Sequence, residues 1–134
     1  MLKKPLVFDS WAILALIQEE AAAGKIESLL IEAEKLDVSR AMTVVNLGVV
    51  WYSVARRRSA GQADSLVQQV KRAGIEVVDV DWDLVRQAAE FKSRYKLPYA
   101  DAFAAALAKS RKAELITGDR DFKLLQGEVN IHWL

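Results

Sequence analysis

The sequence contains no cysteine and only one histidine among its 134 residues. The absence of cysteine excludes disulfide bonds, thiolate zinc sites and cysteine nucleophiles. No apolar run approaches the ~20 residues needed to cross a bilayer, so we expect no association with membranes. The apolar stretch of residues 6–17 is interrupted by Asp9, which is not typical of a signal peptide. Since a chain without cysteine also suits a reducing compartment, we expect a cytoplasmic protein.

The sequence also lacks an excess of charge of either sign, because it has 19 basic and 18 acidic residues and a net charge of +1. This balance argues against a protein that coats nucleic acid by bulk electrostatic attraction. Residues 38–63 nevertheless contain no acid and hold Arg40, Arg56, Arg57 and Arg58. The run Arg56 to Arg58 is explained either by a solvated helix end, where the helix dipole favours cations, or by contacts to phosphate groups. Both explanations can hold together.

The composition, 52% hydrophobic and 28% charged, is that of a globular chain, and its length fits a single domain over residues 1–134. Strands are predicted at residues 6–9, 36–39, 75–80, 115–117 and 131–134. Helices are predicted at residues 10–20, 25–35, 66–73, 82–95, 99–110 and 119–125, and the apolar residues 41–55 predict a helix buried on more than one side. This alternation predicts an α/β three-layer sandwich, with a mainly parallel sheet of about five strands between layers of helices.

Acidic residues stand where the predicted strands and helices meet. Asp9 closes the first strand and Asp119 follows the fourth, so both should lie at the edge of the sheet where ligands bind. Asp101 stands at the start of the Ala-rich helix. Each acid alone is explained by helix capping or a turn. Together they would repel one another unless a cation offset their charge, and magnesium prefers such oxygen ligands. The sequence therefore predicts a divalent cation site.

Three segments carry a family resemblance: Val7-Phe8-Asp9-Ser10, the run from Tyr99-Ala100-Asp101 to Ala108, and Thr117-Gly118-Asp119-Arg120-Asp121-Phe122. Their order and spacing resemble the PIN-domain nucleases, most closely the VapC toxins of prokaryotic toxin–antitoxin modules. The resemblance spans essentially the whole chain. It implies a PIN-like fold and an endoribonuclease that uses Mg²⁺ or Mn²⁺ to activate water for attack on a phosphodiester.

The resemblance also implies roles for single residues. Asp9, Asp101 and Asp119 are expected to be catalytic metal ligands, and Asp121 an outer or second-metal ligand. Ser10 and Thr117 are expected to support them by orienting carboxylates or waters, although local capping alone accounts for both. The implied partners are RNA, with Arg56, Arg57 and Arg58 as a rim for it, a VapB-like antitoxin and a second copy of the chain.

One position departs from the family pattern. The family usually carries a glutamate on the helix after the second strand, where this chain has Val49. The loss of a carboxylate should weaken cation binding, especially of a second ion. Three interpretations stay open: a natural member with impaired or no catalysis, an engineered substitution that detoxifies the protein, or a site that works with one ion. Our hypothesis is impaired catalysis in an intact fold.

Two further side chains are candidates for the site, and two other functions compete with that of a nuclease. Asn46 lies three residues before Val49 and is a weak candidate for the site. A structural role as a buried, hydrogen-bonded asparagine explains this residue better. His132 is best explained by packing in the last strand. The first rival function is a non-catalytic PIN-like module that binds antitoxin or RNA. The second is a phosphatase or other metal hydrolase that acts on small phosphoesters.

Overall fold

The computed structural model describes residues 4–134, which form a five-stranded sheet covered by helices. The strands are β1 (Leu6–Phe8), β2 (Arg40–Thr43), β3 (Ile75–Val78), β4 (Glu114–Thr117) and β5 (Ile131–Trp133). The α-helices are α1 (Ser10–Ile17), α2 (Ala23–Leu36), α3 (Val44–Arg57), α4 (Ala60–Arg72), α5 (Trp82–Arg94) and α6 (Tyr99–Ser110), and a 3-10 helix spans Arg120–Leu125. None of the helices described is long and apolar enough to cross a bilayer.

The sheet has the order β3-β2-β1-β4-β5, and every neighbouring pair of strands is parallel. The central strand β1 pairs Val7 with Ala41 of β2 on one side and with Leu115 of β4 on the other. Parallel strands place their carboxyl ends at one edge, so residues that follow β1, β2 and β4 are neighbours in space. This edge carries the candidate site.

Alternation along the strands divides the core between the two faces of the sheet. Leu6 and Phe8 of β1 pack into a hydrophobic cluster with helices α1 to α4, whereas Val7 packs into a second cluster with α5 and α6. Because successive side chains of a strand point to opposite faces, a strand that is wholly buried must be apolar at every position. The result is the predicted three-layer α/β sandwich.

Polar side chains begin the helices at the carboxyl edge of the sheet. Asp9 caps α1 by accepting a hydrogen bond from the N–H of Ala12, and Thr43 caps α3 by accepting one from the N–H of Asn46. Such caps satisfy amide groups that have no partner within the helix. They allow each strand to turn into a helix within one residue.

Most predicted elements are present, and the second strand is the main correction. It was predicted at residues 36–39, but α2 continues to Leu36 and Asp37 ends it in a left-handed conformation with φ of 54°. The strand is β2, at Arg40–Thr43, inside the segment that was predicted as helix from residue 41. A buried strand followed directly by a largely buried helix gives no polar boundary except Thr43, so periodicity alone did not separate them.

Smaller differences concern helix ends. Helix α1 ends at Ile17 rather than near residue 20, and α4 begins at Ala60 rather than at 66 because Ser59 caps it. The predicted helix at 119–125 is a 3-10 helix capped by Asp119. The burial expected for α3 is incomplete, since Val44 is 40% exposed and Tyr52 46% exposed.

A buried arginine and a glycine turn join α2, α4 and β2. The guanidinium of Arg40 donates a 2.6 Å hydrogen bond to Glu34, and the side chain of Arg40 is only 10% exposed. Gly74 turns the chain from α4 into β3 with φ of +78°, and a Cβ at this position would lie 3.0 Å from Nη1 of Arg40. Position 74 therefore requires glycine for two reasons.

We predict that Gly74→Ala lowers the free energy of unfolding by about 1–2 kcal/mol, because an L-residue at positive φ is strained. The matched control is Gly48→Ala in α3, where a Cβ meets no atom within 4 Å and φ is not positive. This control should stabilise the protein by about 0.5–1 kcal/mol. Urea unfolding of the three proteins measures both changes, and equal stability of the two variants would contradict the assignment.

Candidate metal centre

Three carboxylates converge at the carboxyl edge of the sheet. One oxygen each of Asp101, Asp119 and Asp121 lies within 4.8 Å of the other two. Asp101 stands in the first turn of α6, and Asp119 caps the 3-10 helix by accepting a 2.9 Å hydrogen bond from the N–H of Asp121. Asp101 precedes Asp119 by 18 positions and Asp121 by 20, so the fold brings Asp101 to the other two.

Asp9 lies behind this cluster and is linked to it through Thr117. Asp9 is 1% exposed, and its Oδ2 accepts a 2.5 Å hydrogen bond from the hydroxyl of Thr117. The same hydroxyl oxygen accepts a 3.0 Å hydrogen bond from the N–H of Asp119. Thr117 thus connects the acid after β1 to the turn after β4. One hydroxyl fixes two of the predicted ligands relative to each other.

Asn46 joins a third segment to the site. Its Nδ2 donates to the backbone carbonyl of Ala100 at 3.0 Å and to Oγ of Ser10 at 3.3 Å. The Ser10 hydroxyl donates to the backbone carbonyl of Asn46 at 2.9 Å. Its Oδ1 accepts from the hydroxyl of Thr43 at 2.5 Å. Asn46 is fully buried, as expected for a hydrogen-bonded core asparagine. It ties α1 and α3 to the residue that precedes Asp101.

Burial and mutual repulsion weaken the acidity of the two inner carboxyl groups. Burial raises the pKa of Asp9 from its ordinary 3.8 to about 7, against the lowering effect of its hydrogen bonds, and the charges of Asp101 and Asp119 raise it further. Burial also raises the pKa of Asp101 from 3.8 to about 7, with further contributions from Asp119 and Asp121. Without a counter-charge, both groups are therefore partly protonated near neutral pH.

The donor set fits a hard divalent cation. Oδ2 of Asp101 is buried and has no hydrogen-bond partner, which is costly for a carboxylate oxygen. Asp101 belongs to a cluster of exclusively oxygen donors, the type that Mg²⁺ and Mn²⁺ prefer. Asp101, Asp119 and Asp121 are therefore the side chains best placed to hold an ion, and Asp9 lies within electrostatic reach of them.

The remaining predicted residues lie on α3 and β5. Val49 is half-buried and follows Asn46 by three positions, so it lies on the same side of the helix one turn farther from the sheet edge. Arg56, Arg57 and Arg58 are exposed at the far end of α3, about 15 Å along the helix axis from Asn46. They are not in contact with the carboxylates.

His132 lies on the edge strand β5 beside Ile116 of β4, and its Nδ1 stands 3.7 Å from a carboxylate oxygen of Glu114. Sequence reasoning missed Thr43, whose signal was its place as a capping residue three positions before Asn46. It also missed the contact between Trp11 and Gly118, because no local pattern relates residues so distant in sequence.

Comparisons with known proteins agree with this fold. The sequence model of the PIN domain matches residues 6–128. Among solved structures, the fold is similar to VapBC2 from Rickettsia felis bound to a DNA fragment from its promoter, with a TM-score of 0.75 and 15% identity over 95% of this chain and 96% of that one.

Two further solved structures share the fold. The first is VapC20 from Mycobacterium tuberculosis, described as a Sarcin-Ricin loop cleaving toxin, with a TM-score of 0.73 and 22% identity over 95% of this chain and 98% of that one. The second is DNA-bound VapBC from Salmonella typhimurium, with a TM-score of 0.72 and 15% identity over 97% of this chain and 98% of that one. No curated protein sequence matches the chain.

The raised pKa values predict an unusual dependence of stability on pH. A carboxyl group whose pKa is higher in the folded protein stabilises the fold while protonated, and this contribution is lost as the pH rises through about 7. The metal-free protein should therefore have a higher Tm at pH 5.5 than at pH 8. Saturating Mn²⁺ should raise the Tm at pH 8 more than at pH 5.5, because protons compete with the ion.

Asp101→Asn tests the origin of this effect. The variant removes a buried charge and should raise the metal-free Tm at pH 8 by a few degrees, since 1 kcal/mol corresponds to roughly 4 °C for a domain of this size. Asp37→Asn, an exposed residue that ends α2, is the matched control and should leave the pH dependence unchanged. Differential scanning fluorimetry without metal measures both. A wild-type Tm that rises from pH 5.5 to pH 8 would rule out the repulsive cluster.

Proposed function

This chain belongs to the PIN-domain family, and from that premise we propose that it is an endoribonuclease toxin of the VapC type that depends on Mg²⁺ or Mn²⁺. The observation that carries the proposal is the cluster of Asp101, Asp119 and Asp121, with a buried oxygen of Asp101 that lacks a protein partner. Such a cluster is costly for the fold and becomes favourable when a cation offsets its charge. The reaction is hydrolysis of RNA phosphodiester bonds.

Some of these residues would bind the ion, and others position its ligands. Asp101, Asp119 and Asp121 would hold the cation, and the buried Asp9 would complete the set of acids. A bound ion would lower the pKa of a coordinated water and offset the charge of the phosphodiester. The hydrogen bonds of Thr117 fix Asp9 relative to the turn that carries Asp119, and those of Asn46 hold the start of α6 near α1. Such supporting hydrogen bonds orient ligands and tune cation affinity.

We further propose that catalysis is impaired because Val49 supplies no carboxylate. Val49 is half-buried on the same side of α3 as Asn46, and α3 contains no acidic residue. One fewer negative ligand should lower cation affinity and favour a single ion. An apolar side chain is easily accommodated at this place, which agrees with an intact fold.

The proposed partners are an RNA substrate, a VapB-like antitoxin and a second copy of the chain. VapC20 is described as a Sarcin-Ricin loop cleaving toxin, and a similar structure from Klebsiella pneumoniae is described as a toxin-antitoxin complex, which supports the first two partners. Exposed apolar side chains, including Val44 and Tyr52 of α3, support a protein partner. Arg56 to Arg58 would contact RNA phosphates away from the scissile bond, given their distance from the acids.

The absence of an acid at position 49 favours one second candidate, a PIN-like module that binds antitoxin or RNA without cleaving. Binding of RNA or antitoxin with no cleavage in any divalent cation, by the wild type and by Val49→Glu alike, would establish the module. Hydrolysis of a small chromogenic phosphoester would instead indicate a phosphatase.

We predict that Asp119→Asn reduces Mn²⁺-dependent cleavage of total RNA by roughly 100-fold or more, because it removes a charged ligand from the cluster. Asparagine retains the oxygen that caps the 3-10 helix, so the fold should persist. Asp37→Asn is the matched control and should cleave like the wild type. The pair is made in both the wild type and the Val49→Glu background. Equal cleavage by Asp119→Asn and its parent would exclude the proposed centre.

Restoring a carboxylate at position 49 should raise activity. We predict that Val49→Glu binds Mn²⁺ roughly tenfold more tightly and cleaves RNA correspondingly faster, since an additional anionic ligand favours the ion. Val49→Gln has the same shape without the charge and should show neither gain. Calorimetric titration with Mn²⁺ beside the cleavage assay measures both quantities. If Val49→Glu and Val49→Gln behave alike, position 49 does not limit catalysis.

A further inference from the structure

Trp11 packs directly against the turn that carries two of the proposed cation ligands. A Cβ built on Gly118 would lie 2.3 Å from Cη2, 2.6 Å from Cζ3 and 2.7 Å from Cζ2 of Trp11. All three atoms belong to the six-membered ring of the indole. A side chain at position 118 would therefore overlap the ring unless the ring or the turn moved, so close packing rather than a positive φ favours glycine here.

Gly118 lies between the two residues that connect the site. Thr117 before it donates to Asp9 and accepts from the N–H of Asp119 after it. Asp119 in turn caps the 3-10 helix that carries Asp121. A displacement of the Gly118 backbone would therefore move Asp119 and Asp121 together relative to Asp101, which stands on a different element. The ring of Trp11 lies against this turn at Gly118 and limits its movement toward the ring.

Trp11 is itself held in place. It is the second residue of α1, directly after Ser10 and the cap Asp9, and it packs against the hydrophobic cluster shared by α1 to α4. Its backbone therefore belongs to the same helix start that Asp9 caps. Close packing of this kind transmits small shifts, because interiors leave little free volume.

We propose that Trp11 is a positioning residue for the cation site: its indole ring clamps the Gly118 turn and so sets the placement of Asp119 and Asp121 against Asp101. The inference rests on the proposed cation-dependent function and names a residue that acts through others. Trp11 itself supplies no ligand. Its loss should weaken cation binding without removing a carboxylate.

The first test is a double-mutant cycle read as Mn²⁺ affinity. Gly118→Ala should weaken Mn²⁺ binding roughly tenfold, because its methyl group must displace the turn or the ring. Trp11→Leu should also weaken it several-fold. In the Trp11→Leu background, however, Gly118→Ala should cost little, since the space taken by the ring is vacant. Identical factors in both backgrounds, or unchanged affinity in Gly118→Ala, would overturn the proposal.

Trp51→Leu is the matched control for loss of a tryptophan. Trp51 is half-buried on α3, packs against the same hydrophobic cluster and donates to Asp64 at 2.9 Å. This variant should lower stability while leaving Mn²⁺ affinity within twofold of the wild type. Equal weakening by Trp11→Leu and Trp51→Leu would assign the effect to general loss of packing and would overturn the proposal.

The second test needs no cation. Hydrogen–deuterium exchange of residues 117–121 should accelerate in Trp11→Leu and not in Trp51→Leu, when each is compared with exchange in the sheet of the same variant. Equal exchange in this segment would overturn the positioning role. If the wild type binds no Mn²⁺, the proposed cation site fails, and the exchange measurement alone decides whether Trp11 holds the turn.

Discussion

The accumulation of carboxyl groups at one edge of the sheet is the constraint on which the site depends. Asp9 and Asp101 are buried enough that their pKa values rise to about 7, and Asp119 and Asp121 stand close by. Like charges in such an environment separate, take up protons or bind a cation. The fold prevents separation, because each acid is fixed at the start of a helix that is packed against the sheet. Protons or a cation must then offset the charge.

The same residues serve local structure and the site at once. Asp9 and Asp119 each accept a hydrogen bond from a backbone N–H at a helix start. Asp119 also belongs to the cluster of three carboxylates, and Asp9 lies within electrostatic reach of it. Capping and a place beside the other acids are therefore compatible for both residues, although they compete as explanations when each residue is considered alone. A cap fixes the carboxylate in one orientation, and a fixed carboxylate is a better ligand than a mobile one.

Hydrogen bonds between the segments give the site its rigidity. Thr117 links the ends of the adjacent strands β1 and β4, and Asn46 links α3 to Ser10 and to the backbone before Asp101. Because these groups are buried and mutually satisfied, breaking one contact leaves an unpaired polar atom in the interior, which is costly. The arrangement leaves Oδ2 of Asp101 as the buried carboxylate oxygen without a partner among the residues described.

The sequence alone determined the layered α/β architecture and the identity of the acids. Strands and helices differ in hydrophobic period, and Asp9 and Asp119 stand at predicted strand ends, so both features are local and can be read along the chain. The boundary between β2 and α3 was not readable, because buried residues follow one another there without interruption. Nor could the sequence show that Asp121 lies in the tight cluster while Asp9 is held behind it by Thr117, or that Trp11 covers Gly118. These relations join residues far apart in sequence, and only the packing of the elements decides their distances.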